Sequence, residues 1–172
     1  MIKFQKKNLL YKIYAWLPIL VLFISVFNEF DFNYLNIDYF SFNFPFILVF
    51  YFALKAYQRF DYFLVFLAGI VNDVVIGIPI GISSFCYLLI CAITSYIRQI
   101  TLSPKFINDW LSFIIAVLLI NSIQVIILDL IFLYQVDYMS YLINSGFTFL
   151  FYPLFFILFN ILNSKISLKK ND

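Results

Sequence analysis

Apolar residues fall along the chain in six blocks, residues 13–28, 44–54, 62–76, 82–97, 110–134 and 141–162, separated by short polar stretches. The blocks are apolar all round rather than along one stripe, which is the pattern of helices surrounded by lipid or by one another. A helix needs about 20 apolar residues to cross a bilayer, and the second and third blocks fall short of that. Between the third and fourth blocks, Gly77, Pro79 and Gly81 form a turn signal, because proline fixes one φ and the glycines admit positive φ. The pattern therefore predicts a tight hairpin of the third and fourth helices. Pro153, flanked by Tyr152, predicts a kink in the sixth.

The charges lie between the blocks, and they sort by sign. If all six blocks cross and the N-terminus is cytoplasmic, every one of the 11 Lys and Arg residues falls on the cytoplasmic side. Lys3, Lys6, Lys7 and Lys12 precede the first block, Lys55 and Arg59 follow the second, Arg98 and Lys105 follow the fourth, and Lys165, Lys169 and Lys170 follow the sixth. The opposite side receives Glu29, Asp31, Asp38 and Asp137. The positive-inside rule then puts both termini in the cytoplasm. A re-entrant hairpin of blocks two and three would keep this parity, but it would hold Lys55 and Arg59 at membrane depth at about 2.5–3.5 kcal/mol each. Full crossing returns both to cytoplasmic water, so six crossings are expected. The basic segment 1–12 resembles the start of a signal peptide, yet no small-x-small cleavage site follows it, and a retained first helix is the expectation.

Composition agrees and narrows the classes. Of 172 residues, 65% are hydrophobic and 12% charged, against about a quarter charged in soluble domains. One integral membrane domain, 1–172, with a cytoplasmic N-terminal segment 1–12 and C-terminal tail 163–172, leaves no room for a soluble catalytic or nucleic-acid-binding domain. The net charge of +2 is too small to argue for a polyanion partner. Histidine is absent and Cys86 and Cys91 share one apolar block, so no zinc, haem-attachment or Cys/His pattern assembles. No metal and no cofactor is expected, and the two thiols read as small apolar packing residues.

Candidate chemistry rests on the few polar groups inside the blocks. Gly69, Asp73, Gly77 and Gly81 recur at a spacing of four, which puts glycine, carboxylate and glycine on one helical stripe with the last glycine beyond the turn. Counting from Tyr62 sets Asp73 about 17 Å into the bilayer. Three readings of Asp73 are open: a carboxyl that hydrogen-bonds a neighbouring helix, a proton or ligand site, and a residue ordering an assembly surface. Gly69 and Gly77 are expected to let helices approach closely, so that Gly77→Leu disrupts packing while Asp73→Asn is tolerated. Asn121 and Gln124, with Ser122 between them, give the fifth helix a polar stripe that could meet Asp73, either to satisfy buried polar groups mutually or to line a substrate pocket. Asp129 is expected at the outer interface, where it needs no partner.

The run Gly69-Ile-Val-Asn-Asp73-Val-Val-Ile-Gly77-Ile-Pro79-Ile-Gly81, followed by an apolar helix ending in Tyr96-Ile97-Arg98, resembles the signature of the bacterial rod shape-determining protein family MreD. Beyond residues 66–98 the likeness is one of length, basic N-terminus and hydropathy. The resemblance implies an all-α polytopic fold similar to the substrate-binding subunits of energy-coupling vitamin transporters. It also implies a non-enzymatic inner-membrane component of the cell-elongation machinery. Such a component binds MreC, supports the RodA glycosyltransferase with its penicillin-binding transpeptidase, and is guided indirectly by the actin-like MreB. The residues it carries over are Gly69, Asp73, Gly77, Pro79 and Gly81. The alternative is a vitamin-transporter subunit; against it, the first block offers only isolated Ala15 and Ser25 where such subunits commonly present a small-xxx-small docking face. An intramembrane enzyme is disfavoured because no Ser/Lys pair or paired Asp motif lies at membrane depth.

Overall fold

A computed structural model of the chain describes residues 16–26, 41–56, 60–101 and 105–171, with side chains to residue 163. The described chain is helical, with no strand among the described residues. The order is α1 (Trp16–Val26), α2 (Phe44–Lys55), α3 (Tyr62–Ile76), α4 (Ile82–Ile100), α5 (Phe106–Ile126) and α6 (Tyr138–Asn171), and α5 runs on as one widened turn, Ile127–Ile131. Two stretches, Phe106–Ile131 and Tyr138–Asn163, are long and apolar enough to cross a membrane. The basic segment 1–12, Glu29, Asp31, Asp38, Arg59 and the side chains of Lys165, Lys169 and Lys170 lie outside the described residues.

Local chemistry sets where the helices begin and end. Asn43 caps α2, its side chain accepting from the Phe46 N–H at 3.1 Å, with Pro45 in the first turn where a missing N–H costs nothing. Asp61 caps α3 in the same way through the Phe63 N–H at 2.9 Å. Gly77, at φ 77°, ends α3 in the left-handed conformation, and its N–H bonds the Asp73 carbonyl at 2.9 Å. Asp137 caps α6, accepting from the Met139 N–H and the Ser140 hydroxyl. The helices outrun the apolar blocks at several ends: α4 continues to Ile100, α5 starts at Phe106, and α6 runs to Asn171 rather than stopping near Leu162.

The short second block becomes the centre of the molecule. α2 lies between α4 and α6, and Phe46 through Ala53 are buried on every side. A helix encased by protein needs no lipid-matched length, which is why 12 residues suffice. Its aromatic rings lock to α5 and α6: Phe50 meets Phe113 edge-on with centroids 5.0 Å apart, and Phe44 meets Phe155 at 4.8 Å. α5 bridges α4 and α6, whereas α3 packs on α4 and turns the rest of its surface outward.

Candidate functional site

The signature residues assemble into the closure of the α3–α4 hairpin. Asp73 sits in the last turn of α3, fully buried, and its carboxylate reaches over the turn to the start of α4. Oδ2 accepts from the Gly81 N–H at 2.6 Å and Oδ1 from the Ser83 N–H at 2.8 Å. An α-helix begins with N–H groups that have no partner within the helix, so Asp73 serves α4 as a cap supplied from another helix. Asn72 adds a bond from Nδ2 to the Ser83 hydroxyl at 2.8 Å. Two turns back along α3, the Ser84 hydroxyl donates to the Phe66 carbonyl at 2.9 Å, tying the two helices again.

The glycines differ in what they do. A Cβ on Gly69 would stand 2.3 Å from Ser84 Cα and 2.5 Å from Ser84 N, so Gly69 is where α3 and α4 touch backbone to backbone. Gly77 is not a packing glycine, contrary to the expectation from spacing: nothing lies within 4 Å of a Cβ placed there, and the position requires glycine for its φ of 77°. The spacing of four misleads because the helix ends at Ile76, and past that point the stripe no longer exists. Gly81 follows the same rule at φ 106°, and Pro79 stands between them in the turn.

The polar stripe of α5 does not meet Asp73. Asn121 Nδ2 donates to the Ser145 hydroxyl of α6 at 2.6 Å, and the Gln124 carbonyl oxygen faces the Cys86 thiol of α4 at 3.9 Å. Asp73 is already committed to the start of α4, which is nearer in the chain and offers two N–H groups at once. Asp129 is exposed in part and accepts from the Tyr138 hydroxyl at 3.1 Å. Two bonds fix the N-terminal end of α2 to α6: the Asn43 N–H to the Thr148 hydroxyl at 2.8 Å, and Asn144 Nδ2 to the Ser41 hydroxyl at 2.9 Å. Outside the long helices, hydrogen bonds from the Ser140 hydroxyl and the Met139 and Ser140 N–H groups hold the exposed Asp137 carboxyl below its ordinary value.

A second polar cluster, at the opposite end of α2, was not anticipated. Lys55 Nζ lies 2.6 Å from the Oδ2 of Asp109, which is 97% buried in the first turn of α5. The ammonium also stands 5.9 Å from the centre of the Phe156 ring. Arg98 of α4 donates to the Ala53 carbonyl in the last turn of α2 at 3.2 Å. Each charge suits its helix end, cations at the α2 C-terminus and an anion at the α5 N-terminus. Lys55 was expected in open water; it is three-quarters buried because Asp109 is there to meet it. Tyr152, stacked on Phe113 at 4.3 Å, holds a buried hydroxyl with no hydrogen-bond partner among the described residues.

Chemically these groups hold helices together. Cys86 and Cys91 are buried free thiols, and among the described residues no three potential metal-ligating side chains converge. No known protein-family model matches the chain, and neither does any curated protein or solved structure.

Proposed function

We propose that this protein is a multi-pass inner-membrane scaffold of the cell-elongation machinery, non-enzymatic, with six crossings and both termini in the cytoplasm. In this reading it binds a single-span partner resembling MreC and supports a RodA-type glycosyltransferase and its transpeptidase. The reading starts from the Gly69/Asp73/Gly77/Pro79/Gly81 signature and its resemblance to the MreD family. The observation that supports it is the commitment of Asp73: both carboxylate oxygens are engaged by backbone N–H groups of the next helix, as suits a residue that fixes shape. Each oxygen keeps a second lone pair, but fixed backbone donors hold both in place, which favours a structural role over a proton carrier or ligand contact. A rigid hairpin at the edge of the bundle presents helix faces to neighbours in the membrane, and that is what a scaffold offers.

The test is depletion in a rod-shaped cell combined with purification in mild detergent. Rounded cells with wall insertion no longer confined to the cylinder, and co-purification of an MreC-like protein, are the expected outcome. Normal shape after depletion, with a small vitamin retained stoichiometrically by the purified protein, would overturn it in favour of the transporter subunit.

A further inference from the structure

The chain leaves α5 through a hook. The last turn, Ile127–Ile131, is widened, the Tyr134 N–H closes back on the Leu128 carbonyl at 3.0 Å, and Leu133 just before it stands at φ 51°. A chain that leaves a helix through the left-handed region normally does so on glycine or asparagine, because a side chain with a Cβ is strained there. Among the described residues Leu133 is the one residue other than glycine with positive φ, and it is 84% exposed. Neither the backbone nor the packing of the described residues favours a leucine at this position. An outlier of this kind points to a contact outside the chain.

We propose that the hook, residues 130–134, is an anchor in the outer lipid leaflet, with the Leu133 side chain set among the acyl chains next to the headgroups. Three observations point to lipid as the occupant. The exposed apolar face of α5, formed by Leu111, Ile115, Leu119 and Ile126, runs on into Leu130 and Leu133. The Ser122 hydroxyl on that face bonds back to the Leu118 carbonyl at 2.8 Å, as suits a serine with no water beside it. The height agrees as well. Asp109, in the charged cluster at the inner end, and Ile131 are about 33 Å apart along α5, close to a hydrocarbon layer of about 30 Å crossed at a tilt. The hook then falls at the outer edge, where its backbone meets headgroups and water while its side chains reach hydrocarbon. The apolar edge is also not confined to one flank. Gln124 stands beside Cys86 of α4; from that level α5 rises about 10 Å to Ile131, and α4 about 8 Å to its turn at Gly81, where Ile80 is 71% exposed. A protein seated on the hook would account for one edge only, whereas a lipid surface meets both.

The anchor rests on the proposed crossing of α5 and on no wall-synthesis partner. The experiment uses the full chain with Cys86 and Cys91 replaced by serine and a single cysteine introduced in place of Leu133, Gln135 or Ile115. Each cysteine carries a nitrobenzoxadiazole fluorophore, and the protein is reconstituted in phosphatidylglycerol–phosphatidylcholine vesicles. Lipids with a nitroxide near the headgroup or near the chain end report shallow and deep contact, and iodide on both faces reports water. The expected result is shallow-nitroxide quenching at Leu133 at least about threefold above that at Gln135, with iodide quenching below about half of it. Leu133→Asn keeps a residue that tolerates the left-handed region, and it should lower shallow-nitroxide quenching of a label at Tyr134 by about twofold or more. No change at Tyr134 would overturn the proposal, since leucine is then not what holds the hook. A Leu133 label that behaves like Gln135 overturns it as well, because the hook is then in water. So does a label reached by neither quencher, because a second copy of the chain then covers it. An Ile115 label that the deep nitroxide fails to quench overturns the crossing of α5 itself, which separates that failure from a hook that stands off the membrane.

Discussion

Gly69 and Gly77 fall in the same stripe of the sequence and answer to different forces. At Gly69 the constraint is space: a methyl group would collide with the Ser84 backbone, which cannot rotate away. Gly69→Ala is expected to destabilise the folded protein by about 1–3 kcal/mol, in the range of overpacking elsewhere. At Gly77 the constraint is φ, and asparagine tolerates the left-handed region, so Gly77→Asn is expected to be near neutral. Thermal unfolding in detergent compares the two, and equal losses would contradict the separation. Asp73→Asn, harmless on sequence grounds alone, is expected to harm. The carboxylate accepts on both oxygens, an amide accepts on one, and a buried N–H left unpaired costs about 1–3 kcal/mol. The spacing of these residues was readable before the fold was known, but their individual reasons depend on where α3 ends and which backbone lies opposite.

At the scale of helices, hydropathy and caps located most of what the fold contains. The block at 62–76 is α3 as it stands, with Asp61 before it and Gly77 after it as start and stop signals. The block at 44–54 was legible as a helix but not as the centre of the bundle, because an all-apolar surface does not say whether lipid or protein covers it. Pro153 illustrates a further limit. The proline removes the N–H that would bond the Phe149 carbonyl one turn back, and α6 nonetheless continues to Asn171. The freed carbonyl accepts instead from Trp110 Nε1 of α5 at 3.1 Å. A proline thus creates an interhelical contact, and no local pattern announces its partner 39 positions away. Trp110→Phe should therefore cost about 1 kcal/mol in the native chain, the net worth of such a bond. It should cost measurably less with Pro153→Ala, where α6 can satisfy its own carbonyl. A double-mutant cycle with no coupling would dissociate the tryptophan from the proline.

For the whole molecule, one pairing links charge to topology. Lys55 closes α2 and Asp109 lies in the first turn of α5, and their meeting requires both ends on the same side of the bundle. Arg98, at the end of α4, joins them through Ala53. The segregation of basic residues pointed to a common side; it could not reveal that Asp109 would be buried there, because the sequence shows charge and not who approaches it. Breaking this pair should cost more than a surface ion pair, since Asp109→Asn leaves Lys55 three-quarters buried without its counter-charge. The arrangement also gives the proposed orientation a direct test at exposed positions. Gln135 lies between α5 and α6 at the end remote from Lys55, and Lys105 lies just before α5 at the end that holds it. In a variant with Cys86 and Cys91 replaced by serine, Gln135→Cys is expected to react with a membrane-impermeant maleimide added to cells whose inner membrane is intact. Lys105→Cys is expected to react only after that membrane is permeabilised. The reverse pattern would invert the molecule in the membrane, and reaction of both positions from outside would place α5 on the surface of the bilayer instead of across it.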